Sequence, residues 1–207
     1  MVGDGRPHDS HWPHPHGLCV FSRHGSTYHA RCMKTEIRPA RLSEAAELSA
    51  MMRRTFLAAN GHCSTPENVA AFVAQAYTPE RQAQEIRDPD TLTLIVEQDG
   101  VWAGFAQLRW GTLPPTDVGL QPTVELARIY LDEAFHGRGI AAVLVSHLLA
   151  AARLRGSRSV WLTVWQESSQ AIRFWRKHGF QIVGRSIFHV GDDPKEDWVM
   201  AQVLPEG

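Results

Sequence analysis

The stretch that decides the fold reads Phe135-His136-Gly137-Arg138-Gly139-Ile140-Ala141. It follows a pattern of strand formers over residues 124–131 and precedes apolar residues that repeat at helical spacing over 140–151. A glycine-containing turn from a strand into a helix leaves the first helical amides without partners, so these amides can bind an anion such as a phosphate. In the alternative interpretation, Gly137 and Gly139 only supply the positive φ angles of a tight turn.

The glycine spacing argues against two common phosphate-binding loops. No third glycine follows Gly139 three residues later, as in a dinucleotide-binding fingerprint, and no Gly-Lys-Ser/Thr sequence follows, as in a nucleotide-triphosphate loop. Residues 159–165 predict a second strand, and residues 171–180 predict a short helix that ends at Gly179 and leads into another strand. This order of strand, helix and strand predicts a parallel pair with a right-handed crossover.

The upstream half of the chain predicts helices and a hairpin. Three helices are expected to begin at Ser43, which is the predicted N-cap of the first, and at Pro66 and Pro79. Residues 91–97 and 101–110 predict a hairpin around Asp99-Gly100. The polar, proline-rich segment 111–122 is expected at the rim of a substrate site.

Two motifs in this order resemble the GCN5-related N-acetyltransferase (GNAT) superfamily. Residues 136–141, His-Gly-Arg-Gly-Ile-Ala, fit the family's Gln/Arg-x-x-Gly-x-Gly/Ala cofactor motif at all but its first position. Residues 168–180 match the family's Asn-x-x-Ala-x-x-Phe-Tyr-x-x-x-Gly-Phe signature with two changes, and the resemblance covers about residues 34–204. More narrowly, segments 64–68, 161–165 and 191–193 are similar to the bacterial PaiA-type polyamine acetyltransferases.

The resemblance implies a fold and an activity. The expected fold is α/β (α+β), a mixed and mostly antiparallel sheet of about six to seven strands with helices on both faces and a splayed parallel strand pair that forms the acetyl-CoA cleft. The expected activity is acetyl-CoA-dependent N-acetylation, without a metal, in which the deprotonated primary amine of a small molecule attacks the thioester directly. A polyamine such as spermidine or spermine is the expected acceptor. Two alternatives stay open: a protein or antibiotic amine as the acceptor, and a regulatory module that binds acetyl-CoA without catalysis.

The resemblance also implies which residues bind the cofactor. The amides of the turn would hold the pyrophosphate, with Arg138 adding charge, and the end of the preceding strand would pair with the pantetheine arm. The backbone amide of Leu131 is the predicted polariser of the thioester carbonyl. The expected cofactor-binding set is Ile129, Tyr130, Leu131, His136, Gly137, Arg138, Gly139, Ile140, Ala141, Ser168, Ala171 and Trp175.

Glu125 is the predicted catalytic base, directly or through water. A free alkylamine has a pKa of about 10, so its deprotonation at neutral pH needs such assistance. Strand alternation places Glu125 on one face with Ala127 and Ile129, and related enzymes often carry a carboxylate where this chain has Ala127. A bulge in the strand would break this argument, and in the alternative interpretation Glu125 is a surface carboxylate at a strand start.

Trp175 departs from the family, which usually has a tyrosine here that protonates the departing thiolate. An indole N–H donates a hydrogen bond but is not a usable acid, so Trp175 is predicted to contact the sulfur or to pack the pantetheine. The alternative is core packing beside Phe174. Tyr130 is the substitute acid, or none is needed because a thiol with a pKa of about 8.5 leaves readily. Milder departures are His136 for Gln/Arg and Ser168 for Asn, and Ser168 also suits a helix N-cap.

The acceptor site is less defined by the sequence. A cationic polyamine would suit an acidic cleft. The candidate carboxylates are Glu125, Asp132, Glu133, Asp192, Asp193, Glu196 and Asp197. Nothing in their spacing indicates that they converge. The sequence Asp192-Asp193-Pro194 is typical of a turn, and this interpretation is favoured over a role in ligand binding.

Composition agrees with a soluble cytoplasmic enzyme. The chain of 207 residues is 43% hydrophobic and 21% charged, which suits one domain with an extension. A formal net charge of −1 gives no electrostatic case for nucleic acid, and no apolar run reaches the roughly 18 residues that a membrane span needs. Three scattered cysteines do not suggest a disulfide framework. The expected partner is a small-molecule amine, and a homodimer is common in the resembling family.

Residues 1–33 differ in composition from the predicted acetyltransferase domain, residues 34–207. They are rich in His, Pro, Gly and Ser, and we expect a disordered N-terminal extension rather than a metal site at His8, His11, His14 and His16. The extension lacks the apolar core of a secretion signal. Met33 directly precedes a strand-like segment, so Met33 is a hypothetical biological start that mass spectrometry of the native protein would test.

Overall fold

The computed structural model describes residues 18–19 and 32–205, and the side chains from residue 34 onward. The strands are β1 (Leu18–Cys19), β2 (Cys32–Met33), β3 (Thr35–Pro39), β4 (Thr91–Gln98), β5 (Val101–Trp110), β6 (Thr123–Leu131), β7 (Ser159–Trp165), β8 (Gln181–Val190) and β9 (Asp193–Val203). The helices are α1 (Ala45–Asn60), α2 (Pro66–Ala76), α3 (Pro79–Arg87), α4 (Ile140–Leu154) and α5 (Ser169–Lys177). None of these described helices has the length and hydrophobicity needed to cross a membrane.

The main sheet has seven strands in the order β3-β4-β5-β6-β7-β9-β8. All neighbours are antiparallel except β6 and β7, which are parallel and connected through α4. This confirms the predicted mixed sheet, and the predicted hairpin is present between β4 and β5. Its turn residues Asp99 and Gly100 have φ angles of 52° and 80°, as a two-residue hairpin turn requires.

Helices cover both faces of the sheet, also as predicted. On one face α4 and α5 bury an apolar cluster that includes Leu108, Leu144 and Leu162. On the other face α1 and α2 bury a second cluster that includes Met52 and Phe105. Burial of each such side chain contributes about 1.5–3 kcal/mol, so the two layers fix the position of the strands between them.

The helix starts follow the sequence with one exception. The hydroxyls of Thr65 and Thr78 accept hydrogen bonds from backbone amides in the first turns of α2 and α3. The predicted N-cap at Ser43 is wrong, because Ser43 lies inside a 3-10 turn, Leu42–Glu44, that precedes α1. The Glu44 carboxylate accepts from the amide of Arg41 at 2.7 Å and takes over the stabilising role there.

Most of the predicted N-terminal extension, including His8, His11, His14 and His16, lies outside the described residues. Its described part is a two-residue antiparallel pair between β1 and β2. The proposed start at Met33 and the domain boundary at residue 34 stay predictions.

Candidate functional site

Strands β6 and β7 separate after a short parallel ladder. Only Thr123–Glu125 pairs with Ser159–Trp161, whereas β6 continues to Leu131 and β7 to Trp165 without pairing to each other. We call this opening the cleft and define it by residues 126–131 of β6 and 162–165 of β7. The predicted splayed pair is therefore present.

The backbone of β6 offers hydrogen-bonding groups to the cleft. The amide of Asp132 bonds the carbonyl of Ala103 at 2.9 Å, which shows the side of the strand that faces β5. Because successive amides of a strand point in opposite directions, those of Leu131 and Ile129 point away from β5 and toward the cleft. This direction suits a peptide-like ligand between the two strands.

The turn before α4 presents backbone amides at one end of the cleft. Gly137 and Gly139 have φ angles of 73° and 76°, and a Cβ on either would meet no described atom within 4 Å. The first helical bonds of α4 are donated by Ala142 and Val143, both to the carbonyl of Gly139. The amide of His136 bonds the Glu133 carbonyl, whereas those of residues 137–141 have no backbone acceptor among the described residues. The positive φ angles favour glycine at 137 and 139, and the free amides suit an anion.

The polar side chains of the turn are held by neighbours. The Arg138 guanidinium donates to the Gln98 side chain at 2.8 Å and lies 5.1 Å from the centre of the Phe135 ring. The His136 ring bonds the carbonyl of Leu131 at 3.1 Å. Both side chains are exposed, while the Ile140 side chain is buried in the core and offers only its backbone. Arg138 must leave Gln98 to add charge at the amides.

Helix α5 contributes mainly apolar packing beside the cleft. Trp175 is 5% exposed, and its ring contacts those of Phe174 and Phe180 at centroid distances of 5.0 and 5.2 Å. This burial agrees with the packing interpretation of Trp175, and a catalytic role stays a prediction. Ser168 occupies the N-cap position without a side-chain capping bond, and Ala171 packs against the core.

Strand β6 contains a bulge at Ala127. Leu126 lies opposite Leu108 of β5, and Arg128 lies opposite Gln107, so Ala127 is an extra residue between two normal pairs. A bulge shifts the alternation of side chains by one position.

The bulge corrects the predicted face of Glu125. Leu126 packs into the apolar cluster beneath α4 before the bulge, and Ile129 does so after it. Glu125 therefore lies on the opposite face, together with Arg128 and Tyr130. The prediction that Glu125 shares a face with Ile129 is wrong for this reason, while its role as a base stays a prediction.

Glu125 lies in a charged network at the paired end of the two strands. It stands opposite Arg109 of β5, and its carboxylate accepts a hydrogen bond from the Thr112 side chain. Burial raises the pKa of Glu125 above its usual value, while the charges of Arg109 and Arg128 act in the opposite direction. Both arginines also bond Glu85 of α3, each at 2.7 Å. Glu125 is thus not a free surface carboxylate.

Tyr130 lies on the same face nearer the open end of the cleft. Its hydroxyl accepts a hydrogen bond from the Asn60 side chain at 3.1 Å, and its ring stacks on Phe105 at 5.7 Å. Burial raises the pKa of Tyr130, and the neighbouring Cys63 and Asp197 act in the same direction. Its O–H is therefore a weaker acid than a free phenol, which weakens the case for Tyr130 as the substitute acid.

Several polar and aromatic side chains are linked from neighbour to neighbour, starting at Tyr130. We call this surface the cup and define it by Asn60, His62, Cys63, Tyr130, Thr163, Trp165 and Asp197. The segment after α1 covers one side of it, with the ring of His62 at 5.9 Å from that of Trp165. Ser64 fixes this segment by donating to Asp193 of β9 at 2.6 Å.

Asp197 is the buried carboxylate of the cup. It is 5% exposed and lies in β9, opposite Trp165 of β7 and Ser186 of β8. Thr163 forms a side-chain hydrogen bond with the Asp197 carboxyl, which lowers its pKa, but burial dominates and raises that pKa to about 6. Asp197 therefore changes its charge near neutral pH.

The other predicted carboxylates do not converge on Asp197. Asp132 pairs with Arg54 at 2.9 Å, and Asp193 pairs with Lys195 at 2.7 Å. Glu133, Asp192 and Glu196 are exposed. Sequence reasoning missed Asn60, His62 and Cys63, which belong to no motif. Asp197 carried a signal, since a charged residue borders the apolar run of residues 198–201.

The site is an open cleft rather than an enclosed pocket. Two shallow depressions of about 410 and 380 Å³ lie around Gly179, and neither is lined by the turn or by the cup. Within the part of the chain that the structure describes, no group of His, Cys, Asp and Glu side chains is arranged to hold a metal ion.

Comparisons with known proteins agree with this geometry. The acetyltransferase (GNAT) family model matches residues 56–180. An uncharacterised N-acetyltransferase of Mycobacterium tuberculosis is 36% identical over 163 residues, which are 79% of this chain and 99% of the relative. A streptothricin acetyltransferase of Streptomyces lavendulae is 28% identical over 120 residues, which are 58% of this chain and 60% of the relative.

A similar fold also occurs among solved structures. The PaiA N-acetyltransferase of Thermoplasma acidophilum, in complex with coenzyme A, has a TM-score of 0.67 at 20% identity. The match covers 82% of this chain and 98% of that chain. At this identity the likeness shows the fold and leaves the acceptor open.

Proposed function

The chain belongs to the acetyltransferase (GNAT) family, and on this premise we propose that it acetylates a primary amine of a small molecule, with a polyamine such as spermidine as the favoured acceptor. Family membership makes the protein an acetyl-CoA-dependent N-acetyltransferase. The acceptor is the proposed part.

The observation that carries the proposal is the cleft with the turn at one end and the cup on one face. The outward amides of the turn and the open space at Gly137 and Gly139 fit a phosphate group, so the residues present suit coenzyme A. The amides of Ile129 and Leu131 suit its pantetheine arm. When bound, the co-substrate supplies a thioester carbonyl for attack by the amine.

The chain's own groups would then act on both reactants. The Leu131 amide would donate a hydrogen bond to the thioester oxygen, where negative charge develops. The cup must receive the amine, bring it to the cleft and accept a proton from it, because only the neutral amine attacks. A thiolate with a conjugate-acid pKa of about 8.5 can leave without a strong acid.

The polyamine preference is supported by the chemistry of the cup. Asp197 supplies a carboxylate, and the rings of Tyr130, His62 and Trp165 supply surfaces that suit an ammonium group or its methylene chain. The streptothricin acetyltransferase relative favours a second candidate, an antibiotic amine, since that protein's name states such a substrate. A protein amine is the third candidate. The cytoplasmic location and the homodimer stay predictions.

A panel of amines tests the proposal. The full chain is given acetyl-CoA with spermidine, spermine, putrescine, streptothricin or a lysine-containing peptide, and thiol release is followed. We expect kcat/KM for spermidine or spermine to exceed that for streptothricin and the peptide by about tenfold or more, or ~1.4 kcal/mol. A preference for streptothricin or the peptide would contradict the polyamine assignment but not the enzyme class.

A further inference from the structure

Asp197 is a buried carboxylate with no neutralising cation among the described residues. Burial and the Thr163 hydrogen bond account for its altered pKa, and no described lysine or arginine forms an ion pair with it. Lys195, on the same face of β9, pairs with Asp193 instead, at 2.7 Å. An uncompensated buried carboxylate costs free energy, so its place beside the cleft calls for an explanation.

The cleft side of Asp197 is where an amine would enter. Thr163, its hydrogen-bond partner, is exposed on the part of β7 that does not pair with β6. Tyr130, across the cleft on β6, lies close enough for Asp197 to raise its pKa. The carboxylate thus lies on the face opposite α4, on the strand next to β7 and within electrostatic reach of Tyr130 on β6.

We propose that Asp197 binds the ammonium group of the acceptor and takes its proton before the amine attacks the thioester. This inference rests on the proposed N-acetyltransferase function and assigns its base. An ammonium ion would provide the cation that Asp197 lacks, and binding would relieve the cost of its burial.

The proton and electron balance of the step is complete. One proton passes from the ammonium nitrogen to an Asp197 carboxylate oxygen, and the freed lone pair forms the new C–N bond at the thioester carbonyl. The C–S bond breaks with its electron pair on sulfur. The thiolate takes the second proton from the acylated nitrogen, and Asp197 returns the first proton to solvent.

Asp197 suits this role better than Glu125. Glu125 lies at the paired end of β6 and β7 and faces the positive charges of Arg109 and Arg128. Those charges stabilise its carboxylate and compete with an ammonium ion for it. Asp197 has no such competitor among the described residues.

Few other titratable groups face Asp197. Tyr130 of β6 and Cys63 of the segment after α1 share the cup, and burial raises the pKa of both. His62 lies beside Trp165, Lys195 and Asp193 neutralise each other, and β8 places the neutral Ser186 opposite Asp197. Because His62 also belongs to the cup, the acid limb of the rate profile is assigned to Asp197 by its loss in Asp197→Asn.

The experiment compares Asp197→Asn with Glu196→Gln in the full chain. Glu196 is the exposed neighbour on the other face of β9 and makes a matched control. We expect Asp197→Asn to lower kcat/KM for spermidine about 100-fold or more, to leave acetyl-CoA affinity within about twofold, and to abolish the fall in rate below about pH 6. Glu196→Gln should change none of the three.

A second variant keeps the proposal testable if Asp197→Asn does not fold. Thr163→Val removes the hydrogen bond that lowers the pKa of Asp197, so the acid limb of the rate profile should move to higher pH. An acid limb that does not move in Thr163→Val would overturn this inference and leave the proposed function untouched. The same holds if kcat/KM of Asp197→Asn stays within about threefold of wild type and its acid limb is retained. A wild-type protein that acetylates no amine overturns the proposed function and this inference together.

Discussion

The turn before α4 and the cup around Asp197 lie beside the same cleft but are built from different groups. The turn offers backbone amides from one continuous segment, held by positive φ angles at Gly137 and Gly139. The cup offers side chains from four separate segments: the end of α1 with its following loop, β6, β7 and β9. Binding at the turn is local, and binding at the cup depends on the whole fold.

This difference predicts which substitutions affect every acceptor and which affect only some acceptors. Backbone amides can bind a phosphate whichever side chains the turn carries, so we expect the proposed anion site to tolerate His136 in place of the family's Gln/Arg. A carboxylate in the cup cannot be replaced in this way, because its charge is the function. We therefore expect substitutions in the turn to affect every acceptor equally, and substitutions in the cup to depend on the acceptor.

The largest expected effect on cofactor binding comes from a side chain added to the turn. Gly139→Ala should raise the Kd for acetyl-CoA about tenfold or more, or ~1.4 kcal/mol, because the methyl group would occupy the open space in front of the amides. Calorimetric titration of the full chain with acetyl-CoA measures this change.

Gly156→Ala is the matched control for that variant. Gly156 follows the other end of α4 with a φ of 80°, against 76° for Gly139, and neither would place a Cβ within 4 Å of a described atom. Both variants carry the same backbone strain of about 1–2 kcal/mol. An equal loss of affinity in both would show that strain, and not an anion site, is responsible.

The next effect concerns the free energy of unfolding, which the buried Asp197 carboxylate of the cup lowers. The ordinary pKa of an aspartate here is 3.8, and in the folded protein that of Asp197 is raised to about 6. The folded state therefore holds this proton more tightly, and ionised Asp197 destabilises the fold increasingly as pH rises from about 4 to about 6. The free energy of unfolding of Asp197→Asn, measured by urea titration, should then exceed that of the wild type by about 1–3 kcal/mol at pH 8 and equal it at pH 4. An equal difference at both pH values would contradict the buried charge.

The smallest expected effect concerns Glu125, the carboxylate outside the cup. Glu125→Gln should lower kcat less than about tenfold and keep the acid limb near pH 6, because the charges of Arg109 and Arg128 hold Glu125 in its network. Rate profiles over pH 5 to 9 provide the measurement. Loss of the limb in Glu125→Gln would make Glu125 the base, as the sequence first indicated, and would assign the cup to acceptor binding alone.

Much of the fold could be predicted because its signals are local. The hairpin at Asp99-Gly100, the starts of α2 and α3, and the turn at 137–141 each depend on residues close in sequence. The predicted N-cap at Ser43 was wrong because a 3-10 turn precedes α1. The bulge at Ala127 could not be located from one sequence, since its position is set by the register of β5 against β6.

The candidate site was predictable to the extent that it is made of backbone. Most of the predicted cofactor residues lie in one segment, 129–141, whereas Asn60, Tyr130 and Asp197 are brought together from positions 137 residues apart at the extremes. Strand alternation gave the wrong face for Glu125. The seven candidate carboxylates predicted from the sequence include Asp197, but nothing in the sequence distinguishes it from the other six. Burial in the folded protein distinguishes Asp197 from the exposed Glu133, Asp192 and Glu196.

The bulge at Ala127 also bears on how this strand can change by mutation. Leu126 and Arg128 already lie on opposite faces, and their partners Leu108 and Gln107 are adjacent residues of β5. Loss of the single codon for Ala127 would therefore remove the bulge and leave a regular strand, with Glu125 and Leu126 on the faces that they have now. The two halves of β6 can thus lose the residue at their junction without exchanging side chains between the two layers of the protein.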